Sequence, residues 1–217
     1  MDGAAHGAFI VFEGVEGSGK TTQLQRVAGA LRERGLDPVV TREPGGTPIG
    51  EAVRDILLDP SRRLDAQTEL LLILVARAAL VRQVVRPALE VGRVVLSDRY
   101  DLSTLAYQGA GRGLPVDEIR RLNARATGGL RADLYVVLDV GASEGMGRKA
   151  GTPADRIEGG GPAFHERVAE SYRALAASEP DVVRVQATGE PDAVYEEVHR
   201  ALAERFPQTV GAGAPPE

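Results

Sequence analysis

Residues 14–21 read Gly-Val-Glu-Gly-Ser-Gly-Lys-Thr, the pattern G-x-x-x-x-G-K-[ST]. An apolar run at 8–13 (AFIVFE) precedes it, and a helical pattern follows from near Lys20 to about Arg34, with Gly35 as a natural stop. A strand, a glycine-rich turn and a helix in that order constrain the fold more than anything else in the chain. The glycines let the backbone turn tightly, so several N–H groups converge on one phosphate, and the helix adds its positive end. Gly14, Val15, Glu16, Gly17, Ser18, Gly19, Lys20 and Thr21 form the candidate nucleotide cradle. Lys20 is spaced to reach β- and γ-phosphates, and Thr21 to ligate Mg²⁺. Composition sharpens this. The chain holds 26 basic residues, of which only Lys20 and Lys149 are lysines. One of the two sits where a compact point charge is wanted.

The rest of the chain alternates short apolar strands with helices. Strands are predicted at Val39–Thr41, Arg93–Ser97, Leu134–Leu138 and Val182–Val185. Helices are predicted at 49–58, 65–91 with a kink at Pro87, 102–108, 115–127, 163–178 and 191–205. This pattern implies an α/β fold, a mostly parallel sheet with helices on both faces. Residues 141–162 differ: they hold seven glycines, Arg148, Lys149 and little apolar content, and read as a flexible charged segment. A single domain over 8–205 is expected, with disordered tails at 1–7 and 207–217.

Composition excludes several functions. At 217 residues and net charge −5, with 4% aromatics, the chain lacks the basic, aromatic-studded surface of a nucleic-acid reader. It has no cysteine, hence no disulfide, thiolate zinc site or cysteine nucleophile. The longest apolar run, Leu70 to Ala76, is too short to span a bilayer, and the N-terminus has no signal-peptide pattern. A cytoplasmic protein without membrane or nucleic-acid partners is expected.

A phosphate loop alone does not separate a GTPase, a motor ATPase and a small-molecule kinase. No N-K-x-D guanine signature occurs, and no strand ends in four apolar residues and Asp-Glu. The third strand instead ends in Asp98-Arg99-Tyr100. Such an acid can orient Mg²⁺-bound water and such an arginine can clamp a second anion; a structural pair capping the strand is the alternative.

FEGVEGSGKTT at 12–22, TREPGGT at 41–47, DRYDLSTLAYQGAGRG at 98–113 and DRIE at 155–158 together resemble bacterial thymidylate kinase. The resemblance runs from about residue 8 to 205. It implies a P-loop NTPase fold with a five-stranded parallel sheet and a lid at about 141–162. It further implies transfer of a phosphoryl group from ATP to dTMP with Mg²⁺, in the supply of dTTP, by a cytoplasmic homodimer. Alternatives are a kinase for another deoxynucleotide and a non-catalytic nucleotide-binding module.

Residue roles carry over from the resemblance where the motifs match. Glu16 resembles the carboxylate that holds the deoxyribose 3′-OH and helps place the metal, with Thr21 and Asp98. Arg42 and Glu43 line the acceptor site, and Arg54 and Arg99 look like clamps on the dTMP phosphate, a task suited to planar guanidinium forks. Arg77 resembles the arginine that reads thymine O4; a structural salt bridge is the alternative for a cation in this apolar helix. Thr104 and Gln108 resemble base-binding residues, and Tyr107 resembles the ring that leaves no room for a 2′-OH. Where the family has a stacking Phe, this chain has Ile73, which keeps apolar contact but loses stacking. The cradle lacks arginine, so the lid is expected to supply the catalytic cation. Arg148 is the first candidate, with Lys149 and Arg156 as the others.

Overall fold

The structure is a computed structural model that describes residues 7–148 and 155–210. Five parallel strands form one sheet: β1 (Phe9–Glu13), β2 (Val39–Arg42), β3 (Val95–Asp98), β4 (Leu134–Asp139) and β5 (Val182–Gln186), in spatial order β2-β3-β1-β4-β5. The expected five-stranded parallel sheet is therefore present.

Side-chain alternation explains why helices cover both faces. Along β1, Phe9 and Val11 join one apolar cluster while Ile10 and Phe12 join the other. β4 repeats this, with Tyr135 and Val137 on the first face and Leu134, Val136 and Leu138 on the second. Helices α1 (Lys20–Glu33) and α9 (Pro191–Arg205) pack on the second face. The first face is covered by α3 (Ala66–Leu80), α4 (Arg86–Glu90), α5 (Asp101–Thr104), α6 (Val116–Thr127) and α8 (Pro162–Ser178). Helix α2 (Pro48–Leu58) packs on α3 around Val53, Leu57, Ile73 and Ala76. Helix α7 (Ala142–Arg148) follows β4.

Chain order places the site. After β1 the chain crosses to β2 and β3 on one side, then to β4 on the other. The strand ends flanking β1 thus open a crevice at their carboxyl ends. Register puts Phe12 beside Asp98 and Glu13 beside Val137, so acidic residues meet at that rim.

Two expectations about the helices are corrected. The long helix is disturbed upstream of Pro87: a π-helical turn at Val81–Val85 separates α3 from α4. Pro87 lacks an N–H and its ring crowds the preceding turn, which the wider turn relieves. The helix expected at 102–108 is the short α5 followed by a second π-helical segment, Leu105–Gly111. At both ends the described residues reach into the segments expected as tails. Gly7 is buried and donates to the Leu89 carbonyl (3.2 Å). Val210 packs on the α1–α9 cluster, and Arg34 donates to its carbonyl (3.3 Å). Within 141–162 the described residues form α7 and a 3₁₀ turn at Glu158–Gly160. Lys149 lies outside the described residues.

Candidate active site

The loop between β1 and α1 closes around its own lysine. Gly19 takes a left-handed conformation (φ 89°) at the start of α1, and no side chain caps the helix. Its first N–H groups are therefore left for an anion. Lys20 is buried and donates through Nζ to the Val15 carbonyl (2.8 Å) and to Ser18 Oγ (3.4 Å). Burial, seconded by the Arg99 charge, lowers its pKa from 10.5 to about 8. Thr21 Oγ1 donates to Asp98 Oδ2 at 2.6 Å, tying α1 to the end of β3. Lys20, Thr21, Asp98, Arg42 and Arg148 border an open cleft of about 800 Å³.

A smaller cavity of about 160 Å³ lies beside it. Leu58, Ile73 and Ile157 supply apolar wall, and Arg77, Thr104, Tyr107 and Gln108 supply polar groups. Glu16, Glu43, Arg54 and Arg99 border both the cavity and the cleft. They form the partition between the two.

Arg99 is the centre of that partition. It is the only non-glycine residue with positive φ among those described, at 73°. Such a conformation is disfavoured for a side chain this size and is kept only where surroundings impose it. Its guanidinium donates to the Gly14 carbonyl (3.0 Å), Ser103 Oγ (3.2 Å), Tyr172 Oη (3.3 Å) and Tyr107 Oη (3.1 Å), and pairs with Glu16. It also lies 4.9 Å from the Tyr107 ring centre. Burial opposes its charge, but the surrounding oxygens outweigh it and raise the pKa well above the ordinary value.

Behind Arg99 stands Glu13, fully buried at the end of β1. Oε1 accepts from the backbone N–H groups of Tyr100 (2.9 Å) and Ser103 (3.1 Å), and Oε2 from the hydroxyls of Ser103 (2.6 Å) and Tyr172 (2.9 Å). Burial raises the Glu13 pKa against the pull of Arg99 and these bonds. Glu13 thereby holds the start of α5 and two hydroxyls that touch Arg99.

Arg77 is 1% exposed, makes four hydrogen bonds to protein acceptors and is ion-paired with Glu43. Nε and Nη2 bind Glu43 Oε2 (2.7 and 2.6 Å), Nη2 also binds the Tyr100 carbonyl (2.9 Å), and Nη1 binds Thr104 Oγ1 (2.8 Å) and Asn123 Oδ1 (2.5 Å). The buried salt bridge named as an alternative for this residue is thus present, at the edge of the cavity. Burial pushes the Glu43 carboxyl up to about 7 against the attraction of Arg77, and Glu43 Oε1 has no protein partner.

The lid cations separate. Helix α7 rests on the phosphate loop: a Cβ on Gly17 would lie 2.1 Å from the Gly145 carbonyl oxygen, so only glycine fits the approach. Arg148 stands beside the loop, donating to the Gly17 carbonyl (3.4 Å), Glu144 (2.7 Å) and the Ala187 carbonyl (2.9 Å). Arg156 borders neither cavity nor cleft. It donates to Glu69 Oε2 (2.8 Å) and the Leu57 carbonyl (2.8 Å), which ties the chain leading into α8 to α2 and α3. Arg42 lies on the cleft wall with Glu43 and Arg54, paired with Glu51 (2.9 Å).

Glu13, Glu69 and Asn123 escaped the sequence reading. Each lies in an apolar or helical stretch, and its side-chain partners lie 39 to 159 positions away. The one local signal was Glu13 itself, an acid closing an otherwise apolar strand.

The thymidylate kinase family matches this chain over residues 12–198. The thymidylate kinase of Deinococcus radiodurans is 48% identical over 204 residues, covering 93% of this chain and 98% of that one. That of Symbiobacterium thermophilum is 44% identical over 211 residues, covering 96% and 99%. The crystal structure of thymidylate kinase from Ehrlichia chaffeensis superimposes with a TM-score of 0.75 at 30% identity, covering 91% of this chain and 99% of that one.

Proposed function

The chain belongs to the thymidylate kinase family and is a dTMP kinase; from that premise we propose that the cleft takes Mg²⁺-ATP and the smaller cavity takes dTMP. The observation that carries this is the shared partition. Arg54 and Arg99 face both spaces, so an anion held there from the cavity side sits next to the phosphate cradle. Arg54 is itself fixed by donating to the Pro44 carbonyl (3.0 Å).

Catalysis then consists of positioning and charge neutralisation. An oxygen of the dTMP phosphate attacks the γ-phosphorus of ATP. The bond from that phosphorus to the bridging oxygen breaks, and ADP leaves with the electron pair. The attacking phosphate is already ionised, so no side chain has to remove a proton. Lys20 and the loop N–H groups hold the β- and γ-phosphates. Arg99 and Arg54 hold the acceptor phosphate, and Arg148 supplies charge to the group in transit. Glu16, paired with Arg99, is available to the deoxyribose 3′-OH. Tyr107, held by Arg99, closes the sugar side. Glu43 and Arg77 support the base-side wall, where Ile73, Thr104 and Gln108 meet the ring.

The residues present fit Mg²⁺. Thr21 spends its proton on Asp98, which leaves hydroxyl lone pairs toward the cleft, and the donors are all oxygens. Among the described residues no group of three or more His, Asp or Glu gathers as a metal cage. Thr21, Asp98 through water, and Glu16 would hold the ion, and it supplies neutralisation of phosphate charge.

The working unit we propose is one domain over 8–205 with a lid at about 141–162, acting as a cytoplasmic homodimer. Leu71 and Val75, one turn apart on α3, are 49% and 50% exposed, an apolar face suited to a second copy. Among the described residues no helix is long and apolar enough to cross a membrane. A coupled ADP-release assay across dTMP, dUMP, dCMP, dGMP and thymidine tests the substrate. A preference for dTMP of about tenfold or more is expected; a similar preference for another acceptor rejects the assignment.

A further inference from the structure

A cluster behind the smaller cavity takes no part in the chemistry above. Glu69, in the first turn of α3, is 1% exposed yet carries a full set of donors. Its Oε1 accepts from Gln108 Nε2 at 2.6 Å. Its Oε2 accepts from Arg156 Nη1 (2.8 Å) and Arg112 Nη2 (3.3 Å), and Arg112 Nε reaches Oε1 at 3.4 Å. Gln108 borders the cavity; Glu69 does not.

A carboxylate accepts hydrogen bonds and donates none. Paired with two guanidinium groups, Glu69 obliges the Gln108 amide to turn its NH₂ backward. The amide carbonyl is then what the cavity receives. Thr104 is polarised the other way. Arg77 has only donors, so Thr104 Oγ1 must accept from it (2.8 Å), and the hydroxyl proton is left for the cavity. The wall therefore offers one donor and one acceptor side by side, and buried ions behind them set both polarities.

We propose that Glu69 is a positioning residue for base selection: it locks the Gln108 amide so that the cavity accepts a ring N–H and rejects a ring nitrogen lone pair. The inference rests on reading this cavity as the dTMP site. Thymine presents a carbonyl oxygen next to an N3–H, which matches the Thr104 hydroxyl and the Gln108 carbonyl. Cytosine presents an amino group next to a bare N3, the opposite pattern, and meets two mismatches. Such discrimination needs the amide fixed, because a freely turning glutamine would serve either base.

The mechanism predicts more than a loss in Glu69→Gln. The two arginines facing Oε2 can only donate, so they hold the new amide by its oxygen. Its NH₂ then faces Gln108, whose carbonyl turns backward and whose NH₂ turns into the cavity. The polarity of the wall reverses. With purified full-length protein, kcat and KM are measured for dTMP and dCMP in wild type, Glu69→Gln, Glu69→Asp, Gln108→Ala and the Glu69→Gln/Gln108→Ala pair. The expected result is a fall of about tenfold or more in the dTMP over dCMP preference for Glu69→Gln. KM should carry that fall, rising for dTMP and dropping for dCMP. Glu69→Asp should restore part of the preference. In the Gln108→Ala background Glu69→Gln should leave the preference where it was. Equal losses for both substrates in Glu69→Gln would make Glu69 a structural residue and overturn the proposal. An unchanged preference in Gln108→Ala alone overturns the assignment of the cavity's base edge, a separate failure.

Discussion

The Lys20 ammonium is bonded to the carbonyl oxygen of Val15, 2.8 Å away, inside the loop it serves. Its burial, with Arg99 nearby, brings the pKa down to about 8. Two opposite pH effects follow. ATP requires the ammonium, so affinity for the free enzyme should weaken as pH rises through about 8. Stability moves the other way. Between about 8 and 10.5 the unfolded lysine keeps a proton that the folded one has released, so this group's contribution to stability rises with pH across that window. Lys20→Met should flatten both trends, read by ATP titration and thermal melts from pH 7 to pH 10. Lys20→Ala should also cut kcat by about 100-fold or more; a near-normal rate would remove Lys20 from the assigned role.

Glu13→Gln tests the support behind Arg99. An amide offers one acceptor oxygen where four donors now converge, so at least one buried donor is left unmet. The cost is about 2 kcal/mol, or roughly 6 °C in Tm for a chain of this size. KM for dTMP should rise alongside it, because Ser103 and Tyr172 no longer hold the guanidinium. An unchanged Tm together with an unchanged KM would show that Arg99 needs no such support.

Arg148 and Arg156 should fail differently. Arg148 borders the cleft, so Arg148→Ala is expected to lower kcat by about 100-fold with little change in KM for dTMP. Arg156 bonds Glu69 and α2, so Arg156→Ala should lower Tm by several degrees and raise KM for dTMP. Equal kcat losses in the two variants would contradict this division.

Ile73 borders the cavity as an apolar wall without stacking geometry. Ile73→Phe should lower KM for dTMP by about fivefold, the value of roughly 1 kcal/mol for a well-placed aromatic pair. A raised KM would mean that the cavity has no room for the larger ring.

How much of this was legible depends on distance along the chain. The phosphate cradle was fully visible, because Gly17, Gly19, Lys20 and Thr21 act within eight residues and glycine spacing dictates backbone path. The parallel sheet with helices on both faces was legible from the alternation of short apolar strands and helices, whereas the strand order β2-β3-β1-β4-β5 came only from the structure. The π-helical segments were not visible, because one extra residue in a turn hardly alters an apolar period. Arg77 shows the harder limit. Its sequence setting announced a buried cation with two readings, and only the structure supplied Glu43, 34 positions away, and Asn123, 46 positions away, to absorb its donors.

The sequence by itself therefore determined the loop and the parallel sheet, through local backbone geometry and hydrophobic period; the reaction class came from motifs shared with a known family. The tertiary structure decided which arginine stands beside the phosphate loop and which ties α2 to α3. Arg148 and Arg156 have the same chemistry, and both lie in the segment 141–162. Their roles part because one returns beside Gly17 and the other beside Glu69. A charge takes its function from its partner, and when the partner comes from a distant part of the chain, only folding brings the two together.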